Sequence, residues 1–158
     1  MTKYAANTEV SADRSRSEIE RILQRYGADQ FMYGWEATRA VVQFRAHGRH
    51  IRFMLEMPDP EDREFTHTPN RGTRRTPQQA YSHWEQATRQ RWRALKLVIQ
   101  AKLEAVEAGI TEFEAEFLAH IVLPDGTTVG QWALPQVAVA YESGSMPKML
   151  PAASEVAS

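Results

Sequence analysis

The 158-residue sequence contains no cysteine and only four lysines. Without cysteine, the chain can form neither a disulfide framework nor a thiolate metal site. No run of about 18 consecutive apolar residues occurs, so we expect neither a membrane-spanning helix nor a membrane partner. The first residues also lack an apolar segment, so we expect no secretory signal peptide. Together these absences favour a cytoplasmic protein.

The sequence also lacks the motifs of common catalytic sites, since no P-loop, Rossmann glycine fingerprint or nucleophile elbow occurs. Its five histidines show no ligand spacing of the HExxH kind, so we expect no metal and no cofactor. Four carboxylates, at Asp59, Glu61, Asp62 and Glu64, suit Mg²⁺ but are equally typical of a solvated loop. We favour the loop and leave metal binding there open, and catalysis is not predicted.

Hydrophobic periodicity in the first third predicts one helix followed by three strands. The helix covers roughly residues 13–26 and ends at Gly27. Segments 31–35, 40–44 and 49–57 are rich in aromatic and β-branched residues, and the third alternates apolar with polar side chains. Short turns separate the three segments, so we expect an antiparallel meander with one solvated side.

The rest of the chain predicts a long helix and a smaller cap. After a loop over residues 58–77, the Thr-Pro pair at 76–77 is typical of a helix start, and an apolar stripe then continues to Gly109. The cap consists of a helix capped by Thr111, a hairpin within 120–130 and a last helix over 134–144.

These elements indicate an α+β fold, in which a three-stranded antiparallel meander packs on a long helix, with an N-terminal helix and a C-terminal helix–hairpin–helix cap. We expect one domain over residues 13–146, a flexible arm over 1–12 and a flexible tail over 147–158. The apolar side of the sheet should meet four side chains of the long helix, namely Trp84, Trp92, Leu95 and Ile99.

Charge is distributed unevenly, although the formal net charge is only −1. Between Arg63 and Lys96 there are eight cations and two acids, which gives +6. Between Leu103 and Ser145 there are seven acids and neither Lys nor Arg, which gives −7. Such asymmetry bears on binding partners rather than on the fold.

The basic stretch is the candidate binding site. Arg89, Arg93 and Lys96 recur at helical spacing on one face of the long helix, and an arginine-rich loop lies just upstream. Such a face is typical of an ordinary amphipathic helix as well as of a phosphate-contacting surface. The predicted nucleic-acid-binding residues, with one from the solvated side of the sheet, are Arg71, Arg74, Arg75, Arg89, Arg93, Lys96 and Arg52.

Three longer segments of the sequence resemble an uncharacterised family of small proteins from tailed bacteriophages and prophages. They are REFTHTP at 63–69, RQRWRALKLVIQAKLEAVEAGI at 89–110 and FEAEFLAHIVLPDGTTVGQW at 113–132. The resemblance extends from about Ser15 to Pro151, and no catalytic or binding residues are assigned in that family. It implies a virus-encoded accessory protein in the host cytoplasm, concerned with DNA metabolism or with interference in host processes.

Two functions therefore stay open. The first is a non-enzymatic phage accessory protein that binds DNA or RNA through the basic loop and helix face. The alternative is a protein–protein effector that engages a host or phage factor. Because the basic and acidic halves attract each other, such an effector could also form a homo-oligomer head to tail.

Overall fold

The fold consists of a three-stranded sheet that is covered on one face by two long helices. The α+β fold and the packing of one long helix on the sheet are as predicted. The structure, a computed structural model, describes residues 3–36 and 38–147, with side chains from Arg14 onward. In chain order the elements are α1 (Lys3–Arg25), β1 (Gln30–Glu36), β2 (Arg39–Ala46), β3 (Arg49–Glu56), α2 (Arg63–Thr66), α3 (Pro77–Glu107), α4 (Phe113–Glu116), a 3₁₀ turn (Leu118–His120) and α5 (Val129–Ser143).

The sheet is the predicted antiparallel meander, with strand order β1-β2-β3. Phe44 in the central strand pairs with Phe31 on one side and with Ile51 on the other. The β2–β3 turn consists of His47 and Gly48, and both have positive φ, 51° and 71°. Two consecutive positive φ angles define a type I′ turn, whose twist matches that of the strands it joins.

The core lies between this sheet and the helices α1 and α3. Trp92, Leu95 and Ile99 of α3 are buried against it, as predicted. Phe44 of the sheet also meets Phe117, which follows α4, edge to face at a ring separation of 5.9 Å. The C-terminal cap therefore shares one core with the sheet.

The prediction that Trp84 belongs to this core is wrong. Trp84 is half-buried, and its indole Nε1–H donates a hydrogen bond of 2.7 Å to the carbonyl of Pro58. Its ring lies 5.6 Å from that of Tyr81. Trp84 precedes Trp92 by about two helical turns, so it lies over the segment that leaves β3 rather than over the sheet.

Helix α1 is longer than predicted, because it begins at Lys3 rather than near residue 13. Residues 3–12, which we expected as a flexible arm, are thus helical. No Pro or Gly occurs between Lys3 and Gly27, so nothing in the sequence interrupts the helix. Gly27, with φ of 92°, ends it as predicted. Residues 148–158 of the predicted tail lie outside the described residues.

The predicted limits of α3 are confirmed. The Thr76 hydroxyl accepts a hydrogen bond from the Gln79 amide, and the Gln79 side chain accepts one from the Thr76 amide, which forms a capping box. At the other end Gly109 has φ of 73°, the left-handed geometry typical of a helix C-terminus.

The C-terminal cap differs in detail from the prediction. Thr111 does not cap α4, which is a single turn with Glu112 at its N-cap and no side-chain cap. Helix α5 begins at Val129 rather than at residue 134, since Thr128 and Gln131 form a capping box that the sequence analysis missed. The predicted hairpin has its turn at Asp125–Gly126, with a bridge between Val122 and Thr128, and α5 ends at Gly144, as predicted.

The turn before α5 also covers part of the free edge of β3. Ile121 forms an antiparallel bridge with Ile51, and the Val122 amide donates a 2.8 Å hydrogen bond to the carbonyl of His50. Across the described residues, no helix is both long and apolar enough to cross a membrane.

The burial of Trp92 gives a direct test of this core. Its side chain is only 2% exposed, so Trp92→Ala should lower the free energy of unfolding by about 3 to 5 kcal/mol through lost burial and a cavity. Trp35 is 74% exposed, and Trp35→Ala should change it by less than about 0.5 kcal/mol. Urea unfolding measures both, and equal midpoint shifts would contradict the assigned packing.

Candidate nucleic-acid interface

Three of the predicted site residues line one groove between α1 and α3. Arg89, Arg93 and Lys96 recur at four and three residues on α3, so they lie on the flank beside its buried stripe. Across the groove α1 contributes Arg14 and Ser15, and the groove encloses about 380 Å³.

Arg14 is a groove residue that the sequence analysis missed. It is separated from Lys96 by most of the N-terminal half of the chain, and only the packing of α1 against α3 brings them to one groove. The sequence contains only an indirect signal that Arg14 lies in the groove. Arg14 lies one helical turn before Glu18, so the two side chains share one flank of α1.

Two carboxylates partly neutralise the groove. Glu18 of α1 accepts hydrogen bonds from Lys96 Nζ at 3.0 Å and from Arg14 Nε at 3.3 Å. The hydrogen bond from Lys96, with a smaller contribution from Arg14, lowers the pKa of Glu18, so this carboxylate is charged at neutral pH. Arg89 pairs with Glu85 at 3.3 Å. Among the described residues, Arg93 forms no ion pair or hydrogen bond in the groove.

The loop arginines form a second cluster in a segment that has its own structure. The predicted loop contains the short helix α2, whose Phe65 is buried, and an antiparallel bridge between His67 and Arg74. Arg75 donates hydrogen bonds to the carbonyls of Glu64, at 2.7 Å, and Phe65, at 3.1 Å. Arg75 therefore fastens the segment together, and its guanidinium is committed to backbone oxygens.

The pKa of His67 reflects the positive charge of this cluster. Burial lowers the pKa of His67, and so do the nearby charges of Arg63, Arg74 and Arg75. Arg74 and also Arg71 are exposed, and neither has a hydrogen-bond or ion-pair partner in the part of the chain that the structure describes. Within the described chain, Arg71 and Arg74 thus present guanidinium groups without a partner, whereas that of Arg75 holds the segment together.

Arg52 is not brought together with the other predicted site residues. On β3 it alternates with Ile51 and Phe53, which face the core, so it lies on the opposite face of the sheet from α1 and α3. Its guanidinium donates to the side chain of Gln43 at 3.2 Å and to the carbonyl of Gly126 at 2.7 Å. These bonds fasten the Asp125–Gly126 turn to the sheet.

The carboxylates after β3 form no metal cage. The amide of Glu61 donates a 2.9 Å hydrogen bond to the Asp59 carboxylate, which is a local turn. Over residues 14–36 and 38–147, whose side chains the structure describes, no group of three or more His, Asp or Glu side chains is arranged to hold a metal ion.

Comparison with known proteins adds no further information about the site. The chain matches no protein-family model, no curated protein and no solved structure.

The environment of His67 allows anion binding at the loop to be detected. Because the neighbouring arginines help to lower the pKa of His67, an anion that binds them should raise it. We expect NMR titration of the imidazole to give a higher pKa in the presence of a saturating oligonucleotide that engages the loop. Arg74→Gln should raise the pKa without ligand, because one of the lowering charges is removed. An unchanged pKa in both experiments would contradict the assigned cluster.

Proposed function

We propose that the protein is a non-enzymatic nucleic-acid-binding accessory protein of bacteriophage type, which contacts the phosphate backbone in the groove between α1 and α3. The observation that carries the proposal is the convergence of four cations from two helices on that groove, with Arg93 unpaired among the described residues. Phosphate contacts by Arg and Lys supply most of the affinity of sequence-independent binding.

The groove is suited to the backbone rather than to the bases. The described residues that line it are charged or polar, and they include no aromatic side chain on which a base could stack. Trp92 lies in the same helix but is buried in the core. We therefore propose binding that depends strongly on salt and weakly on sequence.

The loop cluster extends the proposed surface. Arg71 and Arg74 are exposed and unpaired within the described chain, so they can contact a phosphate without breaking an existing bond. Arg75 is assigned a structural role, since its guanidinium holds two backbone carbonyls. The resemblance to tailed-phage proteins supports the host cytoplasm as the setting.

Two arginines on α3 provide a matched test of the groove. Arg93 and Arg91 are both exposed, and neither has a partner among the described residues, but only Arg93 faces the groove. In fluorescence anisotropy with labelled single- and double-stranded oligonucleotides, Arg93→Glu should weaken binding about tenfold at low salt and lower the salt slope by about one. Arg91→Glu should have a much smaller effect, since its charge lies on the opposite flank of the helix.

The double variant Arg71→Glu, Arg74→Glu measures the contribution of the loop while leaving Arg75 and its backbone contacts intact. Equal losses for Arg91→Glu and Arg93→Glu would contradict the groove as the site. No binding by the wild type at low salt would contradict the function itself and would favour a protein–protein effector.

Removal of Glu18 should act in the opposite direction. Its charged carboxylate bridges Arg14 and Lys96, so Glu18→Gln removes a negative charge from the groove while keeping a similar shape. We expect the affinity for an oligonucleotide to rise several-fold at low salt, and circular dichroism to confirm that the helices are unchanged. Unaltered or weaker binding by a folded Glu18→Gln variant would place the phosphate elsewhere.

A further inference from the structure

The fold protects one edge of the sheet and leaves the other open. Outside β3, the Val122 amide donates a hydrogen bond to the carbonyl of His50, and Arg52 holds the Asp125–Gly126 turn beside the strand. Outside β1, no strand or bridge of the described chain is paired. An open edge is a template for pairing with another strand, so the difference between the two edges requires an explanation.

The open edge presents the backbone groups of three aromatic residues. The carbonyl of Arg45 in β2 faces β1, because it accepts a 3.0 Å hydrogen bond from the amide of Asp29. Its register partner Gln30 therefore directs its own amide and carbonyl towards β2, and so does every second residue after it. The residues that alternate with these direct their amides and carbonyls outward, and they are Phe31, Tyr33 and Trp35.

Strand β1 has none of the features that normally protect an edge. Its sequence, QFMYGWE, contains neither Lys nor Pro, and its one charged residue, Glu36, is the last. Its register with β2 is continuous from Gln30 to Glu36, so no bulge twists the edge away. Two of its apolar side chains are mostly exposed, Met32 at 61% and Trp35 at 74%. Such a composition is typical of a strand that is paired on both sides.

Gly34 indicates that another chain approaches this edge. Its φ is not in the positive range that requires glycine, and a Cβ added there would meet nothing in the described chain within 4 Å. Glycine in the interior of a strand weakens it, and it often marks a place where another backbone approaches closely. Since the described chain leaves that place empty, the structure favours a second chain.

We propose that β1 pairs antiparallel with β1 of a second copy, so that two three-stranded sheets join into one continuous sheet. The two-fold axis lies at Tyr33, which pairs with its own counterpart, and Phe31 of one copy pairs with Trp35 of the other. Each pair joins residues whose amides and carbonyls point outward, so each can form two hydrogen bonds. Between these pairs, Met32 lies opposite Gly34 of the second copy and occupies the space that the glycine leaves.

The side chains of β1 favour a second copy in this direction. Glu36 lies opposite Gln30 of the second copy, whose amide group can donate a hydrogen bond to the carboxylate. In a parallel pair the two Glu36 carboxylates would lie side by side and repel each other. Met32 with Gly34, and Glu36 with Gln30, are complementary within one strand, which is the self-complementarity that a two-fold interface needs.

This edge is separate from the surfaces described above. It shares no residue with the groove between α1 and α3, nor with the charged halves through which the sequence suggests self-association. The dimer and the nucleic-acid groove can therefore fail independently.

Sedimentation equilibrium of the full chain, without nucleic acid, tests the dimer. Pairing along one strand of seven residues is a small interface, so we expect a dissociation constant of about 10 to 100 μM. Gly34→Lys should raise it at least tenfold, because the new side chain fills the space of Met32 from the second copy but meets nothing in its own chain. Circular dichroism checks that the fold is retained.

Met54→Lys is the matched control for Gly34→Lys. Gly34, Val41 and Met54 form one row across the three strands, so Met54 lies on the same face of the sheet but at the other edge. We expect Met54→Lys to leave the dissociation constant within about twofold of the wild-type value. A wild type that stays monomeric at several hundred micromolar, or an equal loss of dimer in both variants, would overturn the proposal.

The absence of cysteine from the chain makes the register testable without a loss of binding. The Cα atoms of Met32 and of Gly34 in the second copy would be about 4.5 Å apart, within the range of a disulfide. A mixture of Met32→Cys and Gly34→Cys chains should therefore yield a mixed covalent dimer on mild oxidation, identified by mass spectrometry.

Either cysteine variant alone should stay uncrosslinked. Identical positions in the two copies are offset by two residues along the strands, which places their Cα atoms about 8 Å apart, too far for a disulfide. No cross-linking in the mixture, or equal cross-linking of each variant alone, would overturn the antiparallel register.

Discussion

The burial of one stripe of α3 is the constraint on which the rest of the structure depends. Trp92 and Ile99 are almost completely enclosed between the sheet and α1, and their removal from water supplies a large part of the core's stability. Because this stripe fixes the rotation of α3 about its own axis, it also fixes which side chains flank it. Arg93 and Lys96 face α1 for that reason, and the groove is a by-product of core packing.

The same packing explains why the unpaired charge on the protein's surface differs so much from the charge totals of its sequence. The long basic stretch is distributed over several environments. Lys96 is held by Glu18, Arg75 holds backbone carbonyls, and Arg93 stays unpaired within the described chain. The acidic half is partly neutralised as well, since Glu116 pairs with Lys102 and Glu114 with Arg49. The charges that remain available to a partner are therefore fewer than the sequence totals suggest.

Local patterns determined what could be predicted from the sequence. The meander and the limits of α3 follow from alternation, a Thr-Pro start and a terminal glycine, which are encoded within a few residues. The order of the 58–77 segment could not be predicted, because its bridge between His67 and Arg74 and the contacts of Arg75 join residues across a turn without periodic pattern. The position of Arg14 in the groove depends on which helices pack together, and the separation of Arg52 from the groove depends on which face of the sheet those helices cover. Tertiary packing decides both.

Through the bridge between Ile51 and Ile121, the C-terminal part of the chain covers part of a strand edge. An uncovered strand edge exposes backbone groups that can pair with another chain and begin aggregation. By occupying the carbonyl of His50 and placing the Asp125–Gly126 turn beside Arg52, the cap closes off part of the outer edge of β3. Without the cap, this stretch of edge, with its apolar Ile51 and Phe53, would be open to other chains.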